Sequence, residues 1–514
     1  MGNRISRMKL LLFVVIFAIV TAVVGCSDNS TGSEDNNTET NKGGNSEGAD
    51  NENSEEPIEI STLQPYWGDM PDEDGPLFKK IEEIMNADIS PQFVQGPNMM
   101  DKVNVTLSSG QLPEILVVFM GNQPSIINAI RAGAFWDVGS YLDDYPNLKG
   151  SRDEIRDSNI SVDGKVWALY HKDSIAREGF NMREDWLNNL GLEQPKTIDE
   201  LYNVLKAFTY DDPDQNGKDD TLGLATVLSQ NAGNIPAAFK FMISKFGAPN
   251  NYKVEDGKFI PDFTTEEYRE TMKFFKKLYD EGIMNQDFTY AKLDQVLQMV
   301  RNDEAGVWMG NMDQIWDPLF DINPDAKMLA FSDLEGPNYQ YAKLGYWSTL
   351  MFPKSSVETE EELHKILAGL DRLAAPENKE FRSFGIEGVN YELQNDEHVF
   401  IEETTSRTLE NLGQIFMTDV EVVYEGKPEY IVKQLKAIQE NEEDPGLIGD
   451  PSTGIISDTK NKLGNELQTM IGDAVSQYII GDIDDAGFDQ VIEDWRAAGG
   501  DQMLKEFEEA YKNK

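Results

Sequence analysis

The sequence predicts an α/β protein, and three observations carry that expectation. Two continuous apolar runs, Leu112-Pro-Glu-Ile-Leu-Val-Val118 and Ala305-Gly-Val-Trp-Met309, have the character of strands buried on both faces. Each breaks at a Gly-Asn pair, Gly121-Asn122 and Gly310-Asn311. Stretches with helical spacing lie between such runs, and several open on a Thr-x-x-Glu capping box. The alternation of strand and helix begins at Ile58 and implies sheets covered by helices. No short-period repeat interrupts it.

The first element is Leu10 to Cys26, LLLFVVIFAIVTAVVGC, preceded by Arg4, Arg7 and Lys9. A basic start, a short apolar core and a small residue before a cleavage point make residues 1–25 an expected secretory signal peptide. The run is short for a spanning helix, which needs ~20 apolar residues. Val23-Val24-Gly25-Cys26 resembles the lipobox of bacterial lipoproteins, and Cys26 is the only cysteine of the 514 residues. That resemblance implies cleavage before Cys26 and lipidation of its thiol, so that two acyl chains anchor the mature chain. A plain signal peptide and an uncleaved anchor helix are the alternatives.

Residues 26–56 follow as an expected disordered stalk. Ser27 to Glu56 contains no aromatic and no large aliphatic residue, and its many acids face only Lys42. Such a segment cannot bury enough apolar surface to offset its ordering entropy.

Composition excludes several classes of function. With 45 Lys and Arg against 92 Asp and Glu, the formal charge is −47. Nucleic acid is not an expected partner, because phosphate binding needs a basic surface. Contact with membrane is expected through the lipid anchor only. Three scattered histidines, His171, His364 and His398, give no zinc-site or His-based catalytic pattern.

In the body, Ile58–Leu63 alternates as a first strand and ends at Tyr66-Trp67. Leu77, Ile81, Ile84 and Met85 share a helical face. Ser90–Val94 suits a strand, and Met99–Ser108 a helix stopped by Gly110. Pro124 suits the first turn of a helix running to Gly133. Thr197 with Glu200, Thr264 with Glu267 and Thr359 with Glu362 are expected capping boxes. Lys343–Phe352 reads as a strand containing Tyr346-Trp347. Phe488 to Trp495 marks a helix ended by Gly499-Gly500, and Met503–Tyr511 closes the chain.

The run Asn181 to Leu224, NMREDWLNNLGLEQPKTIDELYNVLKAFTYDDPDQNGKDDTLGL, resembles the extracellular solute-binding proteins of carbohydrate ABC transporters. Its pattern is similar to the lipoprotein branch of Gram-positive bacteria, related to the alginate-binding proteins. Gly133–Leu148, Asp163–Leu169, Glu304–Trp316, Gly385–Tyr391 and Phe488–Tyr511 agree with that pattern in the same order. The likeness covers nearly all of the chain after residue 57, and residues 396–440 carry least of it. It implies a type II periplasmic-binding-protein-like fold, two hinge-linked α/β lobes with the ligand in the cleft between them. The implied N-lobe is 57–170 and 347–415, and the implied C-lobe is 171–346 and 416–514. Lobe crossings are expected near Leu169–Ser174, near Tyr346–Lys354 and at 410–425. Further implications are an oligosaccharide ligand, ABC transporter permease subunits as partners, a monomeric state, and a place on the outer face of a Gram-positive cell membrane.

The sharpest local motif is Asp212-Pro-Asp214-Gln-Asn216-Gly217-Lys218-Asp-Asp220. Oxygen side chains fall at positions 1, 3, 5 and 9, the carbonyl of Lys218 at 7 and Gly at 6, a spacing that wraps Ca²⁺. Gly223 stands where an EF-hand has its bidentate Glu, so a remaining ligand must come from elsewhere. The related alginate-binding proteins carry a calcium in the matching loop. The alternative is a metal-free acidic turn. A structural Ca²⁺ held by Asp212, Asp214, Asn216, Lys218 and Asp220 is the expectation.

Sugars present apolar C–H faces and rims of hydroxyls, so a site needs aromatic platforms and polar groups beside them. Tyr66, Trp67 and Gln123 follow strand ends, where ligands of α/β proteins collect. Asp313 and Trp316 flank the break after Ala305–Met309, close to Trp308. Tyr346 and Trp347 lie on an expected hinge strand, and Glu387 and Tyr391 belong to GIEGVNY. Trp136, Trp186 and Trp495 read as packing residues, and Trp167 and Tyr170 fit either role. Arg183 suits an acidic sugar or a surface ion pair equally.

No GxSxG, HExxH, phosphate-cradling loop or redox cysteine pair occurs. The expectation is a binding protein that is not an enzyme. A secreted carbohydrate-active enzyme and a lipoprotein serving a sensor kinase are the alternatives.

Overall fold

The computed structural model describes residues 56–512 apart from 120–122, 230–233, 313–318, 320–322, 338, 395–396, 402–404, 414–428 and 445. The expected leader, Cys26 and nearly all of the expected stalk lie outside the described residues, as do Asp313 and Trp316.

Two sheets organise the body, each with its own apolar core. The strands, in chain order, are β1 (Ile58–Tyr66), β2 (Ala87–Gln95), β3 (Ile115–Phe119), β4 (Leu169–Lys172), β5 (Glu178–Arg183), β6 (Leu222–Ala225), β7 (Ala305–Asn311), β8 (Met328–Phe331) and β9 (Tyr346–Met351). The first sheet has the order β2-β1-β3-β9-β4, and the second β8-β5-β7-β6. In the first, β1 pairs in parallel with β2 and β3, and β9 runs antiparallel to both β3 and β4. In the second, β7 is parallel to β6 and antiparallel to β5, and β8 is antiparallel to β5.

Both apolar runs seen in the sequence are central strands. Ile115, Leu116, Val117 and Val118 have no exposed surface, nor do Ala305, Val307 and Met309. Helices cover the faces, which parallel pairing through crossover connections requires. The helix Pro76–Met85 buries Leu77, Phe78, Ile81 and Met85, and it lies beside the helix Glu360–Ala374. Arg372 of the second helix donates to the Ile84 and Met85 carbonyls, satisfying the C-terminal groups that the first helix leaves unpaired.

Helix starts follow the capping chemistry. Thr197 accepts from the Glu200 N–H, and Thr359 with Glu362 makes a full capping box. At the helix Glu266–Asp280 the cap is Thr265, not Thr264, and it accepts from the Tyr268 N–H. Thr264 instead donates to the Pro261 carbonyl in a short 3-10 turn. At Gly499-Gly500 the chain passes through a π-turn, Arg496–Gly500, into the last helix, Asp501–Tyr511.

Each lobe is built from separated stretches of chain. The first core gathers residues from Ile60 to Tyr170 and again from Tyr346 to Leu412. The second gathers Phe180 to Tyr341 and Ile455 to Phe507. The chain leaves the first sheet at residues 173–177 and returns at 342–345. His171 and Tyr170 still pair with Ser348 and Thr349 in the first sheet. The helix Thr405–Leu412 adds Leu409 and Leu412 to the first core. The helix Glu429–Glu442 packs beside β8. Most of the crossing expected at 410–425 lies outside the described residues.

Candidate functional site

Three aromatic rings meet at the end of the first sheet that faces the crossings. Trp67 follows β1, Phe119 ends β3, and Trp347 is the second residue of β9. Ring centroids stand 5.7 Å apart for Trp67–Phe119, 5.4 Å for Trp67–Trp347 and 5.5 Å for Phe119–Trp347. All three are partly exposed. His171 of β4 adds its ring 4.9 Å from Trp347. Burial pushes the His171 imidazole down to about 4, so the ring is neutral at neutral pH.

This cluster is held from behind. The Trp67 N–H donates to Asn411 Oδ1 at 2.9 Å, and Asn411 Nδ2 donates back to the Trp67 carbonyl at 2.8 Å. Gly96 lies under the indole: a Cβ there would come within 2.4 Å of the ring. A fixed backbone and a close seat hold the indole in one place, as a stacking platform requires.

The crossings themselves form a clamped joint. The Asp173 N–H donates to the Gly345 carbonyl at 2.9 Å, and the Lys343 N–H donates to the Ile175 carbonyl at 2.8 Å. Arg156, 8% exposed, reaches both strands: its guanidinium donates to the carbonyls of Gly345 and Asp173 while pairing with Asp153. From the second lobe, Glu442 accepts from the Ile175 N–H at 2.7 Å and lies 3.7 Å from Arg156. Asn441 donates to the carbonyls of Ala176 and Glu178. Gly345 has φ +75°, and a Cβ there would meet Arg156 and Ile175 at 2.9 Å.

A cavity of about 1670 Å³ opens between the lobes. Gln123 and Asn159 line it from the first lobe, Trp308, Asn311 and Lys292 from the second, and Lys343 from a crossing. Its volume exceeds the ~300–1,000 Å³ of drug-sized sites. The three-ring cluster is not part of its wall. Phe119 is separated from wall residue Gln123 by 120–122, outside the described residues.

Of the residues singled out in the sequence, Trp67 and Trp347 come together, and Gln123 opens the helix that follows β3. Tyr66 is partly exposed and packs edge-on against Phe93. Tyr346 points the other way from Trp347, 4% exposed against Tyr170. Tyr391 is 3% exposed, donates to Glu380 and packs with Phe384 and His398, while Glu387, exposed, makes a single bridge with Tyr391 ahead of the hairpin of strands Tyr391–Gln394 and Glu397–Phe400. Arg183 is neither a sugar contact nor a surface ion pair. It is 1% exposed, and Asp185 and Asp303 take up its guanidinium. Trp186 and Trp495 are buried, and the Trp136 indole donates to the Val357 carbonyl.

Sequence reasoning missed Phe119, His171, Asn411 and Arg156. The strand-end rule that selected Trp67 would have found Phe119, which precedes the same break as Gln123. Nothing local marks the other three.

The acidic loop is folded around its own side chains. Asp212 and Gln215 have φ +46° and +57°, and Gly217 +78°. Asp212 accepts from the Gly217 N–H at 3.1 Å. Asn216 Nδ2 donates to Asp214 at 2.7 Å and to Asp220 at 3.1 Å, while Asn216 Oδ1 accepts from the Lys218 N–H at 2.9 Å. Asn189 ties the loop down through the Pro213 carbonyl. Asn216 thus bridges Asp214 and Asp220, and the Asp214 carboxylate also lies against that of Asp212. Among the described residues no group of three or more His, Cys, Asp or Glu is arranged to hold a metal ion. The oxygen-only donor set nonetheless has the chemistry of a hard cation such as Ca²⁺.

Among the described residues no helix is long and apolar enough to cross a membrane. Residues 67–380 match the family of bacterial extracellular solute-binding proteins. The polygalacturonan/rhamnogalacturonan-binding protein YtcQ of Bacillus subtilis (strain 168) is 33% identical over 520 residues, covering 100% of this chain and 99% of that protein. Lipoprotein LipO of the same organism is 35% identical, over 86% of this chain and 90% of its own. An EF-hand mutant of the substrate-binding protein FusA from S. pneumoniae, in complex with fructo-nystose, has the same fold: TM-score 0.65 and 18% identity, over 88% of this chain and 99% of that one.

Proposed function

The chain belongs to the bacterial extracellular solute-binding proteins, and from that premise we propose that it is a lipid-anchored receptor for an oligosaccharide, which it delivers to an ABC transporter permease. The observation that carries the ligand class is the meeting of Trp67, Phe119 and Trp347 beside the lobe junction. Partly exposed rings on a rigid sheet end are suited to the apolar faces of sugar rings. The large interlobe cavity favours several sugar units over one. The saccharide named for YtcQ and the one bound to FusA agree with that class.

Lobe closure supplies the capture step. The clamped crossings give a joint about which two separately cored lobes can turn, and the ligand drives closure by contacting both lobes at once. The lipid anchor at Cys26 rests on the lipobox and on the lipoprotein name of LipO. The receptor works as a monomer and leaves its ligand chemically unaltered.

The acidic loop takes a structural Ca²⁺ through Asp212, Asp214, Asn216, the Lys218 carbonyl and Asp220. The donor chemistry and the EF-hand named for FusA support this reading.

Incubation with a glycan panel tests the main reading. An unaltered oligosaccharide that raises the melting temperature is the expected result. Release of shorter products would replace the receptor by an enzyme. Lost uptake of the same glycan on deleting the gene separates transport from sensing.

A further inference from the structure

One stretch of the second lobe reaches back to the first lobe outside the crossings. Residues 449–457 lie between the short strand Leu447–Ile448 and the helix Asp458–Ile480. Ile455 is 7% exposed in the second core, but its neighbour Ile456 packs against the first. Gly454 sits close to the helix Glu154–Ile160 of the first lobe: a Cβ there would stand 3.6 Å from the Ser158 carbonyl oxygen. Just beyond the stretch, Asp458 also faces the first lobe. Arg131 of that lobe is raised above its ordinary pKa by Asp163, 3.0 Å away, and to a lesser degree by Asp458.

The second lobe holds this arm at both ends. At its root, Leu447–Ile448 pairs in parallel with Gln340–Tyr341, the strand that leads into the returning crossing. Asn250 Nδ2 donates to the carbonyls of Ala342 and Ile448, both at 3.1 Å. Asp450 accepts from Asn251 Nδ2 at 2.9 Å and from the Ser452 N–H at 2.8 Å. At the far end, Glu506 of the last helix accepts from the hydroxyls of Ser457 and Thr459 and from the Thr459 N–H. An arm pinned in this way moves with the second lobe while its middle rests on the first.

The resting place lies beside the joint. The helix Glu154–Ile160 carries Arg156 and Asn159, and both grip the returning crossing. Arg156 donates to the Gly345 carbonyl, and Asn159 Nδ2 donates to the Leu344 carbonyl at 2.9 Å. Arm and crossing thus leave the second lobe side by side, from Ile448 and Tyr341, and meet the same helix of the first. Two paired crossing strands form a ribbon, and a ribbon twists as well as bends. A third support standing off the ribbon resists the twist and leaves the bend, which is the motion that closes a cleft.

We propose that residues 449–457 are a noncovalent brace that confines lobe movement to one axis, with Ile456 as the positioning residue at its tip. The brace rests on the two-lobe closure described above and is independent of what the ligand is.

Hydrogen exchange read by mass spectrometry, with small-angle scattering, tests it on the ligand-free full chain. The variants are I456A at the tip and D450A at the root. In both, segments 173–177 and 342–345 should exchange about tenfold faster than in the parent protein. The central strands Ile115–Phe119 and Ala305–Asn311 should keep their rates, and scattering should show a wider spread of interlobe distances. I456V removes one methylene and keeps the contact, so it should shift both readings the same way by less, and it carries the test if the larger truncations do not fold. Parent values in either measurement overturn the brace. So does faster exchange spread evenly through both sheets, which is a loss of overall stability alone. Failure of every glycan in the panel would remove the saccharide reading and leave these readings untouched.

Discussion

Trp67 and Trp347 reach each other from opposite ends of the first lobe's sequence, their ring centroids 5.4 Å apart, and each also touches Phe119. The pair exists only because β9 inserts beside β3, which lies next to β1. The meeting of these rings depends on the sheet's order.

Replacing Trp347 by Ala should weaken oligosaccharide binding about tenfold, since an aromatic contact contributes ~0.5–1.5 kcal/mol beyond its buried area. The far-UV circular dichroism should stay unchanged, because Trp347 is partly exposed and its strand is held by backbone pairing. Calorimetric titration of the variant with the parent ligand is the measurement. Unchanged affinity would remove the cluster from the site.

Chelation should lower the melting temperature by a few degrees, because a cation that binds only the native loop stabilises it by mass action. The D214N variant should melt at the same temperature with and without chelator. Differential scanning calorimetry of both proteins decides it. Identical melting of the parent protein in either buffer argues for a metal-free turn tied by Asn216.

Arg156 should tolerate neither Ala nor Lys. Its guanidinium serves the Gly345 and Asp173 carbonyls and Asp153 together, and a lysine cannot reproduce that planar fork. Losing it leaves carbonyls short of donors at a cost of ~1–3 kcal/mol. Both variants should unfold at lower urea, and the distribution of interlobe distances by small-angle scattering should broaden. A midpoint equal to that of the parent protein would deny the clamp its role.

His171 makes stability depend on pH in a definite direction. Its pKa is lowered by burial from 6.5 to about 4. Between those values the unfolded chain takes up a proton that the folded chain refuses, so stability falls as pH drops from 6.5 toward 4. Asp262 works in the opposite sense: burial raises it from 3.8 to about 6, so its contribution is lost as pH rises through that window. The difference between parent and H171Q isolates the histidine. That difference should change between pH 7 and pH 4 and stay level below. A constant difference across the range would contradict the neutral buried ring.

The sequence disclosed the strands, their ends and most caps, because those features are local. Trp67 was legible as an aromatic directly after a strand. Tyr346 and Trp347 both looked suitable, but neighbours on a strand face opposite sides, and only pairing with β3 and β4 decides that Trp347 faces outward. Thr264 and Thr265 differ as caps only through the 3-10 turn before them. Tyr391 is buried against Phe384 and against His398 on the paired strand, contacts that no periodicity reports. Asn411 and Arg156 work by reaching distant backbone groups, so residue type and spacing carry no trace of them. The acidic loop was legible in composition, but the way Asn216 bridges its carboxylates was not.

The place of β9 between β3 and β4 also governs how the protein can be made. The first sheet lacks an interior strand until residue 351 has been delivered, and the second core lacks its last helices until Phe507 arrives. Neither half can therefore complete its native form early and wait for the rest. A chain delivered from its N-terminus therefore stays unfinished until most of it is available, and completes both halves late. Non-local pairings of this kind close slowly, so the interval before completion is when its apolar strands are most exposed to wrong partners.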